Sequence, residues 1–368
     1  MQIIYSPHHA AHAPHTAIVE GRPFDSPEVP GRAEIILGAL QEKCMGRVIE
    51  PVDHGMQPIQ AVHDGGYLEF LQTANADSEA YFGEPGPVMT WTFANRHAAR
   101  KPKGFLGLKG YYAFGWGTPI LKETWRAAYW SAQCAVMAAD LVRHGEPAAY
   151  ALCRPPGHHA AADLYGGYCY LNNAAIATRF LETRSPLSVE GRQDALQSRQ
   201  PEGSSRVAIL DVDYHHGNGT QLIFYADPAV LFCSLHAHPD QEYPYYWGDS
   251  DEHGTGPGQG TNLNWPLPLG TDDAAYLDTL QEALAAIGNY APHYLVVSVG
   301  FDTADGDPEG GFRLTDGGIA QVGRFIAALQ LPTVIVQEGG YGLDRLGKHA
   351  AAFLGPFAGE HHDSSKEE

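Results

Sequence analysis

Cysteine is scarce in this chain of 368 residues. The five present (Cys44, Cys134, Cys153, Cys169 and Cys233) are odd in number and far apart, and none forms a CxxC pair. The pattern points to a reduced, cytoplasmic protein whose thiols serve mostly as small buried hydrophobes. Charge is also sparse, at 18% of residues, and positive charge most of all: 23 Lys and Arg stand against 43 Asp and Glu, a formal net charge of −20. That balance argues against a nucleic-acid partner and favours cationic ligands near the surface. No apolar run approaches the ~20 residues of a spanning helix. The start, MQIIYSPHHA, has no basic head followed by a long apolar stretch, so neither a membrane partner nor a signal peptide is expected. No internal repeat is found. Apolar residues at 44% exclude disorder over most of the length, which suits one large α/β domain or two to three smaller ones.

Histidine is abundant, at 19 residues, which fits metal or proton chemistry. Helical periodicity runs over Ala33–Gln41, Lys122–His144, Asn172–Leu181, Ala274–Ile287 and Ile319–Leu329, with Asn172, Thr315 and Asp316 as caps. Between them lie short apolar, β-branched runs at Tyr150–Cys153, Val207–Leu210, Val230–Leu235, Tyr294–Val299 and Thr333–Val336. Strands alternating with helices predict a parallel, doubly wound sheet covered on both faces. Ligands bind such sheets beyond the carboxyl ends of the strands. Four of the runs end in polar, Gly-rich segments: RPPGHH, DVDYHHGNG, GFDTADGDP and QEGGY. The fold should gather all four at one rim. Residues 81–118, rich in Gly, Pro and aromatics, read as an insertion lining a site or an interface. Residues 183–205 read as an exposed polar loop and 359–368 as a frayed acidic tail.

Alternation places Asp211, Asp213 and His215 on one side of an extended chain, and Asp302 follows another strand. One imidazole and two carboxylates leave a divalent ion near charge balance with open positions, the pattern of a catalytic site. Turn formation at strand ends explains single aspartates but not this set together. His158 and His159, framed by two prolines and Gly157, suit proton transfer beside a metal-bound water. Each imidazole needs a partner to fix its tautomer, and Asp211 and Asn218 are the candidates. A carboxylate partner would favour a charged imidazole. A neutral Asn would leave the other near its ordinary pKa. Tyr341, after two glycines, is placed to donate a hydrogen bond to a polarised carbonyl.

RPPGHHAAADLYGGYCYLNN, ILDVDYHHGNGTQLIFY, VSVGFDTADGDP and QEGGYG together resemble the zinc-dependent histone deacetylase/acetylpolyamine amidohydrolase family, which has the arginase–deacetylase fold. The likeness to the bacterial acetylpolyamine amidohydrolases extends to IIYSPHH, GRAEIIL, AVHDGGYLEFL and GYYAFGWGTPI. The resemblance implies a single deacetylase-like catalytic domain over residues 1–358, with its site at the C-terminal ends of the strands. It implies one catalytic Zn2+ on Asp213, His215 and Asp302, a ligand set that also admits Fe2+. His159 becomes general base and then general acid, with Asn218 behind it, and His158 an electrostatic partner backed by Asp211. Tyr341 assists the metal at the acetyl carbonyl. Tyr168 and Tyr243 become tunnel walls, and the Gly167 carbonyl accepts the substrate amide hydrogen. A structural K+ site is implied at Asp211, the carbonyls of Asp213, His215 and Leu235, and the Ser234 hydroxyl. Residues 81–118 become the site mouth and the interface of a homodimer.

The implied reaction is hydrolysis of acetylputrescine, acetylcadaverine, acetylspermidine or similar acetylated amines to acetate and free amine. One departure bears on this. The type enzyme carries acidic residues in its insertion, whereas Lys101–Lys122 has no Asp or Glu. Those positions fall near Leu106 and Gly117 here. Glu20, Glu84 or Glu338 are the candidates to replace them. The alternative function is an acetyl-lysine peptide or protein deacetylase, against which the long insertion argues. A binding protein without turnover would lack a ligand, the base or the tyrosine, and none is missing. An arginase-like dimanganese hydrolase would want further carboxylates where Tyr214 and His216 stand.

Overall fold

The runs Val207–Leu210 and Tyr294–Val297 are apolar at every residue rather than at alternate ones, which fits burial on both faces. A computed structural model describes residues 1–19, 22–95, 100–183 and 205–358. Ten strands are seen among them: β1 (Gln2–Ile4), β2 (Thr16–Val19), β3 (Arg22–Asp25), β4 (Arg47–Ile49), β5 (Ala148–Ala151), β6 (Val207–Asp211), β7 (Val230–Ala237), β8 (Asn262–Leu267), β9 (Tyr294–Val299) and β10 (Thr333–Gln337). Eight form one sheet in the order β4-β1-β5-β10-β9-β6-β7-β8, and every pairing in it is parallel. The other two, β2 and β3, pair antiparallel as a separate hairpin.

The helices are α1 (Gly31–Glu42), α2 (Gln57–Gln60), α3 (Gly65–Phe82), α4 (Phe105–Tyr111), α5 (Thr124–Arg143), α6 (Asn173–Glu182), α7 (Asn218–Phe224), α8 (Asp273–Tyr290), α9 (Asp316–Ala327) and α10 (Leu343–Leu354). Successive strand residues point to opposite faces, and two cores result. Val207, Ile209, Val296, Val334 and Val336 pack with α3, α5 and α6. Ala208, Leu210, Leu295, Val297 and Ile335 pack with α1, α8, α9 and α10. The chain is therefore a single domain built on an all-parallel sheet flanked by helices, as the strand–helix alternation predicts.

All five expected strands and all five expected helices are present, with ends shifted by a few residues. The three-residue strands β1 and β4, the Asn- and Pro-containing β8, and helices α3 and α10 carry no comparable signal in the sequence. α3 opens on Gly65-Gly66, poor helix formers, and is held by the Asp64 cap, whose Oδ1 accepts from Gly66 N at 2.8 Å. The polar loop expected at 183–205 falls, except for its two end residues, outside the described residues, as does the tail from Gly359. The four strands that lead into the Gly-rich segments, β5, β10, β9 and β6, are neighbours at the centre of the sheet. Parallel order then delivers their carboxyl ends to one rim.

Candidate active site

β6 ends at Asp211, level with Ser234 of β7 and Ser298 of β9. Just beyond it, His215 Nδ1 lies 3.3 Å from Asp213 Oδ1 and 3.3 Å from Asp302 Oδ2. Both carboxylates are buried. Their remaining oxygens are spoken for by backbone amides: Gly339 N donates to Asp213 Oδ2 at 2.8 Å, and Tyr214 N to Asp302 Oδ1 at 3.0 Å. Two glycines make the space, because a Cβ on Gly300 would overlap Asp213 and one on Gly339 would overlap Asp302. Asp302 Oδ2 is buried, and its approach to His215 Nδ1 does not make a hydrogen bond. A buried, unpartnered carboxylate oxygen is costly unless a cation meets it. Ligand atoms of the three side chains lie within 4.8 Å of one another. The set therefore fits a divalent metal. Burial and the neighbouring Asp213 push Asp302 up to about 7. Asp213 goes the other way, below the usual carboxylate range, because His158 and His215 outweigh its burial.

The tandem histidines sit beside this set, ring centres 4.0 Å apart. His158 Nδ1 is 3.1 Å from Asp211 Oδ2, and His159 Nδ1 is 2.7 Å from Asn218 Oδ1. An amide oxygen only accepts, so His159 carries its proton on Nδ1 and leaves Nε2 free. The two environments drive the pair apart. Burial opposes charge on His158, but Asp213 and Asp211 overcome it and raise its pKa to about 10. His159 is pushed well below its ordinary value by burial and by the positive charge on His158. This corrects the expectation of a near-normal pKa, because an Asn partner supplies no charge to offset burial. His159 is thus a neutral acceptor beside a cation.

Tyr341 is 7% exposed, with its ring 4.4 Å from the Arg32 guanidinium and 5.9 Å from the Tyr168 ring. Burial holds its phenol well above the ordinary pKa, so the hydroxyl stays a donor. Gly167 (φ 56°) and Tyr168 (φ 65°) are successive left-handed residues. A side chain on Gly167 would overlap His159. Tyr168 N donates to Thr118 Oγ1 at 2.9 Å, and Phe114 stacks on Tyr243 at 6.1 Å, which puts these two residues of the 81–118 segment beside the site. Tyr243 stands edge-on to His159 at 4.9 Å. Ser234 Oγ and Asp211 are cross-strand neighbours, and the hydroxyl pairs with His236 Nδ1 at 2.9 Å. The structure thus places Asp213, His215 and Asp302 beside His158 and His159 with their partners Asp211 and Asn218, with Gly167 and Tyr243 against His159 and Tyr168 against Tyr341.

Glu338 is a correction. It is wholly buried, accepting from Gly157 N at 2.6 Å and His158 N at 3.2 Å, and cannot meet a ligand at the mouth. Glu84 is exposed and Glu20 lies outside the described residues. Sequence reasoning missed three contributors. Arg32 donates to the carbonyls of Gly340 (2.6 Å) and Glu338 (2.7 Å). Buried Glu28 pairs with Arg32 at 3.0 Å and Arg154 at 2.8 Å, tying the Tyr341 loop to the tandem-histidine loop. Glu309 is half-buried, and its charge reaches Tyr168 and His215. The only sequence signal for Arg32 was the GRAEIIL likeness, which assigned it no role, and Glu28 lies outside every segment singled out.

An α/β sheet rim that joins a metal-type ligand set to two unlike buried histidines defines a hydrolytic enzyme of the deacetylase class. Comparison with known proteins agrees: the histone deacetylase domain model matches residues 26–356. The chain belongs to that family, whose members are generally metal-dependent, and it is a deacetylase. It is 42% identical to acetylpolyamine amidohydrolase 1 of Pseudomonas aeruginosa over 98% of this chain and 99% of that one. It is 43% identical to the acetylpolyamine amidohydrolase of Burkholderia pseudomallei over 97% of this chain and 98% of that one. A crystal structure of acetylpolyamine aminohydrolase from Burkholderia pseudomallei superposes with a TM-score of 0.86 at 42% identity, covering 97% of this chain and 98% of that one. The HDA15 HD domain superposes at 0.75 with 26% identity, covering 98% of this chain and 90% of that one.

Proposed function

We propose that the protein removes acetyl groups from small acetylated amines such as acetylputrescine, acetylcadaverine and acetylspermidine, using one zinc ion held by Asp213, His215 and Asp302. The unpartnered, buried Asp302 Oδ2 between Asp213 and His215 is the observation that carries the metal reading. A zinc ion held there supplies Lewis acidity toward an amide carbonyl and toward water. His159 Nε2 accepts a proton from the attacking water, and the Nδ1–H···Asn218 bond keeps the ring in the tautomer that can do so. The charged His158 favours negative charge developing beside it. Tyr341 donates to the former carbonyl oxygen, a contribution of about 3 kcal/mol for such a donor. His159 then passes its proton to the leaving nitrogen, giving acetate and free amine.

Full-length similarity to acetylpolyamine amidohydrolases supports the amine substrate. So does the net charge of −20. Glu309 and Glu242 supply acidic groups near Tyr168 and Tyr243 in place of the missing insertion carboxylates: Glu242 Oε1 accepts from Tyr243 N at 3.0 Å. K+ on Asp211, Ser234 and the carbonyls of Asp213, His215 and Leu235, and a homodimer through residues 81–118, complete the proposal.

Acetate release from acetylputrescine tests it. A chelator should abolish turnover and stoichiometric zinc should restore it. Turnover that survives complete metal removal would contradict the assignment.

A further inference from the structure

Tyr341 hangs on a segment, Glu338–Gly342, that holds three glycines, with Gly340 at φ 110°. Such a backbone does not hold its own course. Arg32 restrains it by accepting nothing and donating to two of its carbonyls. A second restraint comes from Asp307, which is 8% exposed and lies five positions beyond Asp302 on the same loop. Its Oδ2 accepts from Tyr341 N and from Gly342 N, both at 2.7 Å, while Oδ1 accepts from Glu309 N at 3.0 Å. One carboxylate thus spends all its contacts on backbone amides, two of them at Tyr341 and its neighbour.

We propose that Asp307 is a positioning residue for the deacetylation: it fixes the height and direction of the Tyr341 side chain relative to Asp302, so that the phenol meets the acyl oxygen. The proposal rests on the donor role given to Tyr341 above. An Asp307 that merely capped α10 would affect stability, and its effect would not depend on whether Tyr341 carries a hydroxyl. Charge-assisted bonds to amides are strong enough to hold a loop, and small misplacements of a catalytic group are expensive in rate.

The test is a double-mutant cycle in the zinc-loaded protein, reading kcat, KM and zinc per chain for acetylputrescine. Asp307→Ala should lower kcat on the order of 10- to 100-fold, with KM within about twofold and zinc unchanged. Tyr341→Phe should also be slow. The double variant should be no slower than Tyr341→Phe alone, because a misplaced phenyl ring has no hydroxyl to lose. Asp307→Asn, which keeps an oxygen for both amides, should stay within a few-fold of the parent. If Asp307→Ala does not fold, Asp307→Ser takes its place in the cycle. Losses that multiply in the double variant, zinc loss in the single variant, or an Asp307→Asn defect as deep as that of Ala would each overturn the proposal while leaving Tyr341 a donor. Tyr341→Phe at parental kcat would instead overturn the donor role itself, and the Asp307 proposal with it.

Discussion

His159 keeps its reactive nitrogen free because Asn218 Oδ1 accepts a hydrogen bond from the N–H on the other one, 2.7 Å away. The neighbouring imidazole, one residue earlier, is charged because Asp213 and Asp211 flank it. Two identical side chains thereby acquire opposite protonation states, the asymmetry on which the proposed roles of base and cation rest. His159→Ala should reduce kcat at least ~100-fold and retain zinc; metal analysis of the purified variant checks this, and a zinc-free variant would make His159 a ligand. At this scale the sequence was highly legible for residues carrying their own local spacing, such as Asp213 and His215. It was illegible where a role depends on a partner far along the chain. Arg32 and Gly340 are 308 positions apart, and nothing near either announces the bond. Gly300 and Gly339 matter because of the carboxylates they make room for, which only the folded rim brings together.

Elements meet through buried neutral histidines as well as through apolar packing. His63, just before α3, accepts from Asn172 N at 2.9 Å at the start of α6. His12 pairs with Thr124 at the start of α5 at 2.9 Å. Burial lowers each to about 4, against 6.5 unperturbed. The folded state therefore binds fewer protons than the unfolded one between these values, so the stability they provide is full above pH 6.5 and is lost as pH falls toward 4. The cost at the acid end is about 3 kcal/mol for each. The urea midpoint should fall steeply from pH 7 to pH 5, and His63→Gln should flatten the fall. A midpoint indifferent to pH would remove this account. Strand and helix identity was legible wherever the apolar pattern was long, as in Tyr294–Val299, which matches β9. It failed for β1, three residues long, and for β8, whose Asn262, Asn264 and Pro266 disguise an edge strand.

The whole molecule carries a net charge of −20, and the described part of segment 81–118 meets the rim at Phe114 and Thr118. That segment exposes Trp91 at 79% and Trp116 at 42%, with Phe93 and Leu106 also outward. Exposed aromatics of this kind are the feature on which the proposed homodimer interface rests. Light scattering at micromolar concentration should give twice the 39.8 kDa chain mass; a monomer mass would remove the dimer. No helix among the described residues is long and apolar enough to cross a membrane. Fold class was legible at this scale because apolar strands alternate with helices along the chain. Substrate choice was not, since the insertion lacks the expected carboxylates and Glu309 reaches the site only through folding. The central claim, small-amine deacetylation, is tested most directly by kcat/KM of the zinc-loaded protein for acetylputrescine, acetylcadaverine and acetylspermidine against an acetyl-lysine peptide. The account predicts a preference for the free acetylated amines of at least about tenfold, near 1.4 kcal/mol of discrimination, whereas equal or better turnover of the peptide would contradict it.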